Sequence, residues 1–218
     1  GPASQVAISY HATGPNITTS GGDYSFEQAL LTADLLTGEG DGSIFVLGAD
    51  EGHPEFSCLF DQSIKKETPL VDGGGCFCLT KKSGTAQRMT IKTSFYQSGR
   101  DTDVIAHLIK VLGGSEALLD RYGLLMVGIP AAFRKLGGEQ LARFIDKTGF
   151  AAPVVDYRKI TGEFASASAV AAVMAVEILK RKTLPAGLAG TMAVHLKKKA
   201  VLVVGLGQSI TAMEVVAP

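Results

Sequence analysis

Asp23 and Glu163 are the residues whose type and setting most suggest chemistry. Asp23 follows the turn Ser20-Gly21-Gly22, Glu163 follows Thr161-Gly162, and a long apolar run succeeds each of them. A glycine turn feeding a helix sets its last residues beside unpaired amide protons and the positive end of the helix dipole. Negative charge is favoured there, and enzymes use the same geometry to present a nucleophile. A carboxylate held charged by a helix end attacks poorly, so the local reading is that Asp23 and Ser25 cap a helix. If the two helix ends converge, however, Asp23 and Glu163 form a crowded pair that shares one proton. Such a pair could do the acid/base work of an acyl-thioester hydrolase or dehydratase.

The elements that must position these residues form a repeat. In the first copy, β-branched Ile17, Thr18 and Thr19 predict a strand, and Phe26, Ala29, Leu30, Leu31, Ala33, Leu35 and Leu36 predict a helix over about 25–37, ended by Gly38. Apolar residues occupy most of that helix's circumference, which predicts an interior position. In the second copy, a helix over about 164–180 follows Glu163. Each helix precedes a hydrophobic strand that ends in glycine, at 43–48 and 200–205. The chain therefore reads as two related halves, about 3–98 and 99–218, of a single domain over 1–218.

Between these landmarks, residues 3–13 lean towards helix, and 51–75 read as a long irregular connection. Segments 76–81 and 89–96 look like an antiparallel pair turning at Ser83-Gly84. Asp101 or Thr102 caps a helix with a stripe of Val104, Ile105, Leu108, Val111 and Leu112, stopped by Gly113. A short helix from Ser115 to about Gly123, a strand at 124–129, a helix at 139–147, a strand at 153–156 and a last strand at 211–217 complete the reading. Strands alternating with helices predict a mainly parallel sheet covered on both faces. With two such halves the layers become α/β/α/β/α, the two apolar helices in the middle.

Composition narrows the function classes. The 218 residues carry 21 basic and 21 acidic side chains, so net charge gives no argument for nucleic acid or a membrane surface. No apolar run of membrane-spanning length exists, and a mean hydropathy of +0.22 with 26 glycines suits a large core and association through a buried interface. Three cysteines, Cys58, Cys76 and Cys78, fit a reducing cytoplasm better than a disulfide framework. Cys76 and Cys78 fall on one face of a strand and read as buried structural thiols, with no second ligand pair to complete a metal site; no metal or cofactor is expected. The start at Gly1-Pro2 reads as a trimmed end and is left out of the fold argument.

Weaker candidates remain. Gly205-Leu206-Gly207 lacks the third glycine of a dinucleotide loop and reads as a strand-turn-strand lining a pocket. His53, after Asp50 and Glu51, sits at a strand end where α/β sheets bind ligands, but most such histidines face solvent. His11, His107 and His195 show no partner pattern. The runs 180–182 and 197–199 could attract an acidic carrier protein, which makes a carrier-binding module a third class of function.

The segment GPNITTSGGDYSFEQALLTADLLTGEGDGSIFVLGADE resembles the nucleophile segment of the β-ketoacyl synthases of the thiolase-like superfamily. KITGEFASASA resembles that family's later lysine and GH-containing motif, and LVVGLGQSITAMEVV its closing glycine-rich hairpin. The resemblance covers most of the chain and implies the layered thiolase-like fold, with the opening strand and helices of a full-length synthase missing. It also implies that Asp23 stands where the family has its cysteine nucleophile and Glu163 where it has the GH histidine; no HGT triplet supplies the other. Decarboxylative condensation needs a thiolate to hold the acyl chain and imidazoles to stabilise developing charge. The resemblance therefore implies a degenerate, chain-length-factor-like subunit with Ser20, Gly22, Gly205 and Gly207 lining its pocket. Its partner would be an active ketosynthase or a second copy, joined through the strand Ile17-Thr18-Thr19, with an acyl carrier protein as a further contact.

Overall fold

The structure is a computed structural model that describes residues 2–36, 42–53, 55, 57, 59, 70–80, 88–101, 103–198 and 200–218. The expected Gly38 cap, the Ser83-Gly84 turn, Cys58, Thr102, Lys199 and most of the 51–75 connection lie outside the described residues.

The segment near the start is helical, as expected: α1 spans Pro2–Ser9. After a 3₁₀ turn at Gly22–Tyr24 comes α2, Ser25–Leu36, then β1, Ile44–Asp50, and β2, Gly73–Leu79. Next are β3, Thr90–Ser98; α3, Val104–Val111; α4, Gly114–Arg121; and β4, Tyr122–Gly128. A second 3₁₀ turn leads to α5, Arg134–Thr148, then β5, Val154–Asp156, and α6, Arg158–Thr161. The chain closes with α7, Ala167–Arg181; β6, Thr183–Leu184; α8, Ala186–Ala189; β7, Val194–His195; β8, Ala200–Gly205; and β9, Ser209–Val216.

A five-stranded sheet in the order β3-β9-β8-β4-β5 carries the fold. β4 runs parallel to both β5 and β8, whereas β9 is antiparallel to β8 and to β3. Every residue of β4 and β8 is buried, which is why both read as unbroken apolar runs: each face of the sheet is covered. On one face α3, α4 and α5 pack through Ile105, Leu108, Leu118 and Phe144. On the other lie α2 and α7, with Phe26, Leu30, Ala171, Ala172 and Ala175 against Leu124, Met126 and Met213.

Behind these helices the β1–β2 hairpin forms a second sheet, registered from Ile44↔Leu79 to Asp50↔Gly73. The alanines of α7 let this hairpin come close. A Cβ on Gly75 would lie 2.6 Å from the Ala169 carbonyl oxygen, so glycine is required where strand backbone meets helix backbone.

The layering is thus α/β/α/β among the described residues, and the outer face of the hairpin is open, with Phe45 60% exposed. Cys76 and Cys78 point out of that face and are exposed, not buried; the inward positions of β2 go to Phe77 and Leu79. Other expectations are corrected too. Residues 17–19 form no strand, because among the described residues no neighbouring strand offers them a ladder. β2 and β3 do not pair with each other: β2 takes β1, and β3 joins β9, so the large sheet runs across the expected boundary at residue 98. α2 is buried along one side only, with Leu35 87% exposed. α5 starts at Arg134, ahead of the expected 139, and its Gly137 packs directly on Ile129.

Candidate functional site

The turn before α2 is folded by its own side chains. Ser25 Oγ accepts from the Gly21 amide at 2.9 Å and donates to the Gly22 carbonyl at 2.7 Å, while Thr19 Oγ1 donates to the Ser25 carbonyl at 3.0 Å. Ser25 therefore shapes the turn in place of the expected simple cap. Asp23 is left facing the segment between β5 and α7.

Two arginines that the sequence reading missed meet Asp23 and Glu163 there, one from that segment and one from the start of α5. Arg158 opens α6 and its side chain is only 2% exposed. Its Nη2 donates to Asp23 Oδ1 at 2.6 Å, and its Nη1 donates to Glu163 Oε2 at 3.1 Å and to the Phe164 carbonyl at 3.3 Å. Arg134, at the start of α5, donates to Glu163 Oε1 at 2.7 Å and to Asp156 Oδ2 at 2.9 Å. The Ala131 amide adds a further bond to Glu163 Oε2 at 3.4 Å. Burial works against the Arg158 charge, but Asp23, Tyr157 and Glu163 outweigh it and hold the guanidinium firmly protonated.

The two acids therefore do converge, one from each half of the chain, but they meet across a shared guanidinium and not across a shared proton. Both carboxylate oxygens of Glu163 are occupied. Neither acid is presented as an open base.

The cluster forms one end of a cavity of about 920 Å³ that runs beside α2 and β1. Ser20, Gly22, Asp23, Arg158 and Glu163 line it, as do Ile17, Thr18, Thr19 and the apolar Phe26, Ala29, Ala33 and Leu36. His53 and Ser57 lie on its wall, where the Ser57 hydroxyl accepts from the His53 amide at 3.1 Å. Gly205 and Gly207 are not part of this lining. They form the expected turn between β8 and β9, where Gln140 Oε1 accepts from the Gly207 amide at 2.8 Å and Thr211 Oγ1 from the Gly205 amide at 3.2 Å. His11, His107 and His195 are exposed and lie outside the lining.

Behind the cluster sits a buried acid that the sequence reading did not single out. Glu27 on α2 is 1% exposed; its carboxylate accepts from Ser168 Oγ at 2.9 Å and from Thr211 Oγ1 at 3.1 Å. Burial pushes its carboxyl above the ordinary 4.5, against the pull of those hydroxyls and of Arg158. A folded-state pKa raised in this way gives stability that is complete below the unfolded value and is lost as pH rises through the folded one. Glu27→Gln should therefore match the parent in urea unfolding near pH 4 and exceed it at alkaline pH. Parallel stability curves for the two proteins across pH 4–9 would refute this. Nearby, burial pushes the Tyr24 phenol up to about 12, although its oxygen accepts from the Ser209 amide at 3.2 Å.

No protein-family model and no curated protein matches the chain. Solved structures do. A β-ketoacyl synthase from Burkholderia phymatum is similar with a TM-score of 0.70 at 16% identity, covering 99% of this chain and 65% of that one. A chain from the complex of the ketosynthase ApeO with its chain length factor ApeC, from Xenorhabdus doucetiae, gives 0.70 at 18%, covering 100% and 64%. A chain from a type II polyketide acyl carrier protein in complex with its ketosynthase, bound to the hexaketide, gives 0.64 at 14%, covering 99% and 66%. The chain has the thiolase-like ketosynthase fold and spans 64–66% of the length of these three chains.

Proposed function

We propose that this chain is a non-catalytic ketosynthase-like subunit of the chain-length-factor type. It would pair with an active β-ketoacyl-acyl carrier protein synthase in polyketide, polyene or fatty-acid-like biosynthesis. The observation that carries the reading is the Arg158 guanidinium lying between Asp23 and Glu163, at the positions where the family resemblance puts a thiol and an imidazole. Condensation needs a nucleophile to hold the acyl chain and neutral donors aimed at an oxyanion. A set of two guanidiniums and three carboxylates, one negative charge in excess, offers no nucleophile, and its cations are already engaged by its own acids.

The segment 12–21 supports a pairing role. It has no helix or strand, bears no ladder among the described residues, and leaves Ile17 51% exposed beside the cavity. Unpaired backbone beside an apolar surface is completed by a neighbouring strand, and a two-fold pairing at this place would join the sheets of two subunits.

Co-expression with intact ketosynthases of the same organism, followed by size-exclusion chromatography, tests the reading. A one-to-one complex is expected, and Ile17→Asp with Thr18→Pro should abolish it. A chain that stays monomeric with every synthase would overturn the proposal, and a homodimer alone would restrict it to self-association. The hydrolase or dehydratase reading would gain only if the chain alone turned over acyl thioesters and lost that activity in Asp23→Ala and Glu163→Ala.

A further inference from the structure

We propose that Cys76 and Cys78 form a two-thiolate site on β2 for a soft monovalent cation of the copper(I) class. Both are free and exposed, two residues apart on one face of the strand. Their backbone is fixed from the other side: Gly75 lies against Ala169, and the Phe77 ring packs 5.8 Å from that of Phe26. The strand cannot turn to bury either thiol without pulling Phe77 out of the core. The ladder places Leu47 opposite Cys76 and Phe45 opposite Cys78, so the thiols stand on an apolar surface that favours soft ligation.

Geometry separates metal binding from disulfide formation. Alternate residues of a strand are about 6.6 Å apart, at the upper limit of what a disulfide tolerates, and a disulfide needs the two Cβ atoms near 3.8 Å. Two metal–sulfur bonds of about 2.3 Å each accept sulfurs up to about 4.6 Å apart, within reach of side chains leaning towards one another along the strand. Among the described residues no group of three metal-binding side chains exists, so they offer no third protein ligand. Two soft ligands and no third suit copper(I) far better than zinc, which takes four. Binding releases the thiol protons and leaves the metal's oxidation state unchanged.

The full chain, reduced and kept free of oxygen, is titrated into copper(I) held by the coloured chelator bathocuproine disulfonate, and loss of colour is followed. One equivalent should transfer per chain, and an equal concentration of zinc should not displace it. Cys76→Ser and Cys78→Ser should each weaken binding by about 100-fold, the advantage of a second tethered ligand, with unchanged circular dichroism and melting. Cys58→Ser should bind as the parent does. Absence of transfer, transfer insensitive to both Cys76→Ser and Cys78→Ser, or equal loss in Cys58→Ser would overturn the proposal.

Discussion

Arg158→Ala is expected to lower the unfolding free energy by about 3–5 kcal/mol, the scale for a buried charge deprived of its partner. The loss has two sources. Asp23 and Glu163 face each other with no cation between them, and the space of a 2% exposed side chain is emptied. Arg158→Lys should recover little, because an ammonium cannot extend a planar fork to carboxylates on two sides. Adding Asp23→Asn and Glu163→Gln to Arg158→Ala should restore part of the loss, since no charge is then stranded. Urea unfolding of the four proteins tests this, and a cost below about 1 kcal/mol for Arg158→Ala would mean that water already satisfies the two acids.

Glu214→Ala should rank next, at about 2–3 kcal/mol, the upper range for hydrogen bonds to a charged group. Glu214 is 3% exposed on β9 and gathers the Ser94 and Tyr122 hydroxyls, Arg121 Nη1 at 3.1 Å and Lys92 Nζ at 3.3 Å. Its cost is smaller than that of Arg158 because Arg121 and Lys92 are 47% and 68% exposed and return to water when the acid is removed. Burial alone would raise the Glu214 carboxyl, but Ser94, Tyr122 and Lys92 together hold it below the ordinary 4.5. A depressed folded-state pKa gives stability that is present above the unfolded value and lost as pH falls through the folded one. The gap between parent and Glu214→Ala should therefore close in acid, and at higher pH the parent is the more stable protein, whereas against Glu27→Gln it is the less stable one. A gap of constant size from pH 7 to pH 3 would refute the assignment.

Which features were legible in the sequence follows from how local their causes are. α7, β4 and β8 are legible because burial on all sides leaves an apolar run with few interruptions. The convergence of Asp23 and Glu163 is legible from the repeat, since matching elements place matching turns together. Arg158 is not, because Tyr-Arg-Lys at the start of a four-residue helix looks like ordinary surface charge, and one of the two acids that hold it, Asp23, is far away in the chain. Glu27 carried a signal, an acid between Phe26 and Leu30 in a helix read as interior, where a charge needs a named partner. Pairing β2 with β3 failed because adjacency in sequence says nothing of which edge a third strand offers. The thiols were misplaced for a related reason: alternation tells that Cys76 and Cys78 share a face, but not which face the core lies on.

The bridge between Leu70 and Glu163, together with the Asp50 carboxylate that accepts from the Ala165 amide at 2.7 Å, ties the turn before α7 to the other half of the chain. The repeat thus does not consist of exchangeable modules. Grafting either segment onto a foreign counterpart would separate an acid from the backbone that orients it, so the two would have to be engineered together.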